Sequence, residues 1–329
     1  MRKARTRLLN GAFRFRPVLL LAFSLVACGE SAKWVEVQSA LAYPESPNIR
    51  YDRLFFVEYS AHRIVSASIE GADRRFVFQE DGCGPAAFTF LNEEEAVVSC
   101  YDSNEVLLLS ISPEQWRVRA RIKEDAHGNS LPGPNDFAVD DRGGVFFTAS
   151  GEFDPRTKPG GRLYYLPPGS EAPELLRQGL WYPNGLALSK DRLWMSEHFN
   201  NRLLAFRLDA DRRILDSPVI VDLPDEIERR KQGFQGDSAN DYLGPDGLDF
   251  REVSGAGPEL FVAHFAGGRI LRLRLNPEGF LVQQENLLLP EDLPYPTNVA
   301  FYDGALFVTA LRDAFSPPYE GVLLRIDLR

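Results

Sequence analysis

The stretch 182–197 reads YPNGLALSKDRLWMSE, and its Asn184-Gly185 pair stands where the first of two apolar runs begins. Asn-Gly between apolar runs is a strong signal for a hairpin turn, because both residue types accept a positive φ. The phrase is not unique, however, because the chain contains six versions of it. They are YPESPNIRYDRLFFVE, GPAAFTFLNEEEAVVSC, GPNDFAVDDRGGVFFTA, YPNGLALSKDRLWMSE, GPDGLDF with ELFVAH, and YPTNVAFYDGALFVTA.

Each version consists of a proline, one variable residue, an apolar run, a polar break and a second run that ends in small or polar residues. The prolines lie 41, 49, 49, 62 and 51 residues apart and are Pro44, Pro85, Pro134, Pro183, Pro245 and Pro296. Intervals of this size are close to the length of a propeller blade. The sequence therefore predicts an all-β fold, a six-bladed β-propeller with four-stranded antiparallel blades over residues 34–329.

Two terminal segments are expected to close this ring. Residues 33–39, KWVEVQS, and 321–329, GVLLRIDLR, read as strands from opposite ends of the chain. Pairing within one blade would hide the edges that an open sheet exposes. The longest interval contains a charged insertion at residues 225–242, which is either a solvated surface loop or a loop over the site.

The N-terminal segment has the pattern of an export signal. Residues 1–17 are basic, and the apolar run at 18–27 has ten residues, against roughly twenty that are needed to span a bilayer. The run ends in LVAC, which resembles a bacterial lipobox and implies cleavage before Cys28 followed by lipidation of its thiol. An ordinary signal with a chance cysteine is the alternative. Because Gly29 follows, we expect a periplasmic lipoprotein anchored to the outer membrane, with residues 28–33 as the lipidated cysteine and a short linker.

The charge of the chain argues against nucleic acid as a partner. Removal of residues 1–27 takes away six basic and no acidic residues, so the formal net charge goes from −10 to −16. Phosphate binding needs a basic surface.

Two cysteines remain for pairing. Cys83 precedes the first run of the second repeat and Cys100 ends its second run, so an antiparallel hairpin would bring them to the same end. An oxidising compartment would permit a disulfide. Two buried free thiols are the alternative.

One position of the repeat carries the candidate chemistry. The first strand of each propeller blade runs along the central channel, so the residue after each repeated proline should begin that strand at one rim. Around the ring these residues are Glu45, Ala86, Asn135, Asn184, Asp246 and Thr297. Turn formation would explain the Asn and Asp residues but not Glu45, which is a poor turn former.

We therefore predict a metal site in the channel. The proposed ligands are Glu45, Asn135, Asn184 and Asp246, two carboxylates and two carboxamides. These side chains supply only oxygen ligands, which suits Ca²⁺ or another hard cation such as Mg²⁺ rather than zinc.

The same motifs resemble those of a known family. GPNDFAVDDRGGVFFTA, YPNGLALSKDRLWMSE, GPDGLDF and the closing LFVTALRDAFSPPYEGVLLRIDL look like the gluconolactonase and regucalcin family of six-bladed propellers. The resemblance implies a calcium-dependent lactonase whose metal is held by a Glu and by the first residues of an Asn-Asp, an Asn-Gly and an Asp-Gly pair. Those positions match Glu45, Asn135, Asn184 and Asp246 in turn.

Two departures from the family pattern bear on the substrate. Sugar-lactone members resembling regucalcin carry an arginine two residues before the Asn-Asp asparagine, where this chain has Gly133. Related paraoxonases carry a histidine where this chain has Ala86. His198 and His264 each follow the second run of a repeat, and His264 joins Asn135 as a candidate substrate-binding residue.

Three functional hypotheses remain open. The first is a calcium-dependent hydrolase for a small lactone or related ester, with Asp246 as catalytic base or nucleophile. The second is a non-catalytic periplasmic propeller, stabilised by its metal and held at the membrane through Cys28 beside the partners that it binds. The third is phosphotriester hydrolysis over the same cation, which the sequence does not separate from the first.

Overall fold

The computed structural model describes residues 33–112, 115–189, 192–223, 239–253, 257–276 and 278–328. These residues form six four-stranded antiparallel sheets and three short 3₁₀-helices at Tyr59–Ala61, His198–Asn200 and Ala239–Tyr242. No helix in this part of the chain is long and apolar enough to cross a membrane. The predicted signal peptide and Cys28 lie outside the described residues.

Each of the six sheets is one blade. Blade 1 contains β2 (Pro44–Arg50), β3 (Arg53–Glu58), β4 (Arg63–Ser68) and β5 (Arg75–Gln79), and blade 2 contains β6 (Pro85–Phe90), β7 (Glu95–Cys100), β8 (Glu105–Ile111) and β9 (Trp116–Ile122). Blade 3 contains β10 (Pro134–Val139), β11 (Val145–Ala149), β12 (Gly161–Leu166) and β13 (Glu174–Leu180), and blade 4 contains β14 (Pro183–Ser189), β15 (Arg192–Glu197), β16 (Arg202–Arg207) and β17 (Val219–Asp222). Blade 5 contains β18 (Gly244–Arg251), β19 (Glu259–Phe265), β20 (Arg269–Leu275) and β21 (Leu281–Leu288), and blade 6 contains β22 (Tyr295–Tyr302), β23 (Ala305–Leu311), β24 (Glu320–Asp327) and β1 (Val35–Ala42).

The ring closes in blade 6, where the two ends of the propeller meet. Strand β1 pairs antiparallel with β24, with Val35 opposite Arg325 and Ala42 opposite Glu320. The first strands β2, β6, β10, β14, β18 and β22 contact one another in sequence around the ring, with β22 returning to β2. The predicted all-β fold of six four-stranded blades is therefore confirmed.

The core consists of six apolar clusters, each lying between two neighbouring blades. Strands inside each blade are covered on both faces, so β11 and β19 are buried along their whole length and read as continuous apolar runs. The outermost strand of blade 2, β9, instead alternates between covered and exposed residues because one of its faces meets solvent.

Candidate metal and active site

The repeated proline lies at the start of every first strand. Just beyond it, the pairing with the second strand shifts register in all six blades. Such a bulge turns a side chain away from the direction that regular pleating would give it. The residue after the proline thus lies at an irregular point of the sheet, at one end of the channel that the first strands surround.

The four predicted ligands meet at this end of the channel. Glu45, Asn135, Asn184 and Asp246 line a single cavity of about 250 Å³, which Ala86 also lines. Four separate blades therefore each contribute one oxygen-bearing side chain to the same space. The sixth residue of the ring, Thr297, is fully buried, and its hydroxyl donates to the carbonyl oxygen of Pro44 at 2.8 Å.

Hydroxyl groups on the second strands hold three of these residues from behind. Ser99 Oγ donates to the backbone carbonyl of Asn135 at 2.5 Å, Thr148 Oγ1 to that of Asn184 at 2.8 Å, and Ser196 Oγ to that of Asp246 at 2.7 Å. Each bond crosses from one blade to the next and lies wholly inside the protein. The backbone of each candidate ligand is therefore positioned by the preceding blade.

Asp246 is buried and Glu45 is partly buried, and no described residue of the cavity wall gives either carboxylate a positive partner. Burial, and then the carboxylate of Asp246, raises the pKa of Glu45 well above its usual range. The pKa of Asp246 is raised in the same way, first by burial and then by Asp136. Burial also raises the pKa of Asp136 to about 7, although the N–H groups of Leu186 and Phe137 donate to it.

This arrangement fits a hard divalent cation. None of the described residues that line the cavity is Lys, Arg or His. Buried like charges are unfavourable unless a cation compensates them, and carboxylate and amide oxygens are the ligands that Ca²⁺ prefers. In the described part of the chain, no three His, Cys, Asp or Glu side chains are grouped to hold a metal. The candidate site is therefore the mixed set of two carboxylates and two amides.

The predicted histidines lie behind the cavity rather than in its wall. His264 is fully buried on β19, with Nε2 2.8 Å from Asn201 Oδ1 and Nδ1 accepting from Arg269. His198 is also fully buried, and its ring nitrogens face the carbonyl oxygens of Tyr242 and Pro245. Neither histidine is among the residues that line the cavity.

Aromatic residues that the sequence analysis did not single out form most of the remaining wall. They are Tyr43, Tyr59, Tyr101, Phe153, Tyr182, Phe265 and Tyr319, which we call the aromatic collar. A partial signal was present in the sequence, because tyrosine precedes the repeated proline in three of the six phrases. The hydroxyl residues Ser99, Thr148 and Ser196 were also missed, although each stands at the end of the second run of its repeat.

A disulfide closes the hairpin of blade 2 near the cavity. Cys83 and Cys100 are bonded, with their Cα atoms 4.5 Å apart and a sequence separation of 17. Both are buried in the apolar cluster between blades 1 and 2.

Comparison with known proteins identifies the family. Residues 29–312 match the family model described as the SMP-30/gluconolactonase/LRE-like region. The chain belongs to this family. Lactonase drp35 of Staphylococcus haemolyticus is 28% identical to it over 245 residues, which cover 73% of this chain and 67% of the relative. The family resemblance inferred from the motifs is thus confirmed.

Solved structures share the fold of this SMP-30/gluconolactonase/LRE-like protein. Regucalcin of Agrobacterium tumefaciens, described as a calcium-binding protein, has a TM-score of 0.67 at 14% identity, covering 91% of this chain and 96% of regucalcin. A gluconolactonase of Xanthomonas campestris has a TM-score of 0.66 at 18% identity, covering 91% of this chain and 90% of that protein. At these identities the likeness shows the fold alone.

Proposed function

We propose that this member of the family is a calcium-dependent hydrolase that opens a lactone or a related ester. The observation that carries the proposal is the meeting of Glu45, Asn135, Asn184 and Asp246 in one cavity at the end of the channel. The family match and a relative named lactonase support the reaction class. The description of regucalcin as calcium-binding supports the choice of cation.

Both carboxylates of the set keep free lone pairs. Glu45 accepts a hydrogen bond from the N–H of Ser46, and Asp246 accepts one from the amide of Asn184. All four would hold Ca²⁺, which when bound supplies a Lewis acid that stabilises negative charge on a carbonyl oxygen under attack.

We propose that Asp246 handles the proton. A carboxylate in the cavity can accept a proton from water as the water oxygen adds to the carbonyl carbon. The ring C–O bond then breaks, and the alkoxide that leaves takes that proton back from Asp246 to become a hydroxyl group. The product is a hydroxy acid, which releases its carboxyl proton to the buffer. Asn135 lines the same cavity and would contact the substrate.

The test is a panel of lactones, aryl esters and phosphotriesters assayed with Ca²⁺ and with a chelator, using wild-type protein and Asp246→Asn. We expect lactone hydrolysis that the chelator abolishes, and at least about a hundredfold loss in the variant with its circular dichroism spectrum unchanged. Full activity in the chelator would refute calcium dependence. Hydrolysis of phosphotriesters alone would favour the alternative reaction, and no turnover with a calcium-induced rise in Tm would favour a binding propeller.

We propose further that the protein is a periplasmic lipoprotein held at the outer membrane through Cys28. This rests on the sequence of residues 1–33 and is supported by the disulfide, since disulfides persist in oxidising compartments. Metabolic labelling with a fatty acid should mark the wild-type chain and not Cys28→Ser. Equal labelling of both would exclude this cysteine as the anchor.

A further inference from the structure

The aromatic collar is a nearly continuous series of rings around the mouth of the cavity. Neighbouring ring centroids lie 5.9 Å apart for Tyr319 and Tyr43, 5.4 Å for Tyr43 and Tyr59, 6.4 Å for Tyr59 and Tyr101, 6.5 Å for Tyr101 and Tyr182, 4.9 Å for Tyr182 and Phe153, and 5.8 Å for Phe153 and Phe265. Six of the rings come from segments that connect strands at the channel end where the candidate ligands lie, and Phe265 is the last residue of β19. The candidate ligands therefore share their cavity with a wall that is largely aromatic carbon.

Several hydroxyl groups of the collar are committed to the protein itself. Tyr59 donates to Asp102 at 2.5 Å, and Tyr101 donates to the carbonyl oxygen of Gly151 at 2.5 Å. The hydroxyl of Tyr182 donates in turn to that of Tyr101. These tyrosines therefore offer a ligand their ring surfaces more than their polar ends, and the wall acts as an apolar one.

Two of these rings belong to residues whose backbone conformation is strained. Tyr43 and Tyr182 both precede a repeated proline, and both have a φ of +56°. At the same repeat position, Gly84 and Gly133 adopt φ values of +55° and +58°. A bulky residue in this region is strained by about 1–3 kcal/mol, which glycine avoids. Tyrosine rather than glycine at two of these four positions adds two aromatic rings to the cavity wall.

The collar also crowds the position of Gly133. A Cβ atom added there would lie 2.7 Å from Cε2 of Tyr101, so a side chain at this position would require the Tyr101 ring to shift. Because the described lining contains no Lys, Arg or His either, nothing described in the wall would pair with a carboxylate. A ligand rich in hydroxyls would lose hydrogen bonds to water against these rings, and such losses are unfavourable.

We infer that the site selects uncharged lactones that carry an apolar or aryl substituent over polyhydroxylated sugar lactones. This inference rests on the proposed function, because it names the substrate class of the same cavity. The lactone carbonyl would lie on the side of the candidate ligands, and the collar would cover the substituent. Aromatic pairs of this kind prefer offset or edge-on contacts at the ring separations found here.

The experiment compares γ-phenyl-γ-butyrolactone, γ-butyrolactone and glucono-δ-lactone in a proton-release assay with Ca²⁺, each corrected for spontaneous hydrolysis. We expect the phenyl group to raise kcat/KM by about 10- to 50-fold over γ-butyrolactone. Glucono-δ-lactone should be a poorer substrate than the phenyl compound. In Tyr182→Gly, whose backbone conformation glycine accepts, the preference for the phenyl compound should fall by about tenfold.

Tyr51→Gly is the matched control. Tyr51 also has a positive φ, +51°, but is 72% exposed and does not line the cavity. This variant should keep the wild-type preference. Phe153→Ala provides a second collar variant in case Tyr182→Gly does not fold, and the same loss of preference is expected. A phenyl group that brings no gain in kcat/KM, or a preference unchanged in both collar variants, would overturn the inference while leaving the lactonase proposal intact.

Failure of the proposed function has a different signature. If none of the three lactones is hydrolysed, saturation-transfer NMR with γ-phenyl-γ-butyrolactone still tests the collar. Transfer to the phenyl protons with the wild type and Tyr51→Gly, but not with Tyr182→Gly, would support the inference for a binding protein. Absence of transfer with the wild type would overturn it.

Discussion

Replacing Glu45 by Gln tests separately whether the carboxylate destabilises the metal-free protein and whether it contributes to calcium binding. The substitution keeps the size of the side chain and removes one of two carboxylates that line the cavity. In a chelator, the remaining carboxyl of Asp246 loses a neighbour that raises the unfavourable energy of its charge. We therefore expect Glu45→Gln to unfold at a temperature no lower than that of the wild type when no divalent cation is bound.

Calcium should reverse this order. At a free concentration of 100 times Kd, binding to the native state alone stabilises a protein by about 2.7 kcal/mol. An unfolding entropy of about 2.1 cal/mol/K per residue over roughly 300 residues converts this to a rise in Tm of about 4 °C. If the variant binds about 100-fold more weakly, about 0.4 kcal/mol and less than about 1 °C remain at the same calcium concentration.

Differential scanning calorimetry in chelator and in calcium measures both effects. Glu58→Gln is the control, because Glu58 is also a shielded carboxylate but is paired with Arg63 and Arg74 and does not line the cavity. The control should unfold earlier than the wild type in both buffers and keep the shift of about 4 °C. An equal calcium shift in Glu45→Gln and the wild type would show that Glu45 is not a ligand. No shift in the wild type would refute the metal site.

Three further predictions concern groups around the site and the blades. Thr148→Val removes the hydroxyl that donates to the backbone carbonyl of Asn184. Calcium affinity measured by titration calorimetry should therefore fall about 10- to 100-fold. Unchanged affinity would mean that this hydrogen bond does not position Asn184. Replacing Cys83 and Cys100 together by Ala opens a loop with a sequence separation of 17. Denaturant unfolding should show that the free energy of unfolding falls by about 3 kcal/mol. A decrease below about 1 kcal/mol would contradict the loop-entropy account. Asp140→Asn should destabilise the protein at pH 7, because hydrogen bonds and a neighbouring arginine outweigh burial and hold the pKa of Asp140 below its ordinary value of 3.8. A carboxylate with a lowered pKa stabilises the native state at pH values above its ordinary pKa, and this stabilisation is lost as the pH falls through the lowered pKa. The stability difference between Asp140→Asn and the wild type should therefore shrink in acid. A difference that grows in acid would refute the assignment.

The fold was predictable because the same phrase recurs with one variable position. Six copies at blade-sized intervals leave few architectures other than a propeller, and the propeller brings equivalent positions of every copy to one axis. Distances of up to 201 positions in the sequence, as between Glu45 and Asp246, therefore did not prevent the cavity set from being predicted. Symmetry between the repeats supplied the long-range information that local patterns lack.

What could not be predicted depends on the segments between strands. The ring of Tyr101 lies over Gly133 because both connections turn toward the channel mouth, and no periodicity in the sequence fixes those turns. The same is true of Tyr43, whose positive φ precedes its strand. His264 stands at the repeat position expected at the rim, but its ring turns into the protein toward Asn201. Local backbone conformation decided each of these cases.

Two blades contribute no oxygen ligand to the cavity, and this leaves room for a substrate. If all six blades contributed a carboxylate or amide, their side chains would surround a cation completely and leave no position for a carbonyl oxygen. Blades 2 and 6 contribute Ala86 and Thr297 instead, and the Thr297 hydroxyl turns to the carbonyl of Pro44. Ala86 lines the same cavity as Tyr59 and Tyr101, whose ring centroids are 6.4 Å apart. Blade 2 contributes no oxygen ligand but does contribute to the aromatic wall, so we expect substrate to approach over this blade. Ala86→Leu should then raise KM for the phenyl lactone and leave the calcium-induced rise in Tm unchanged. Loss of both together would show instead that Ala86 lies against the metal ligands rather than the substrate.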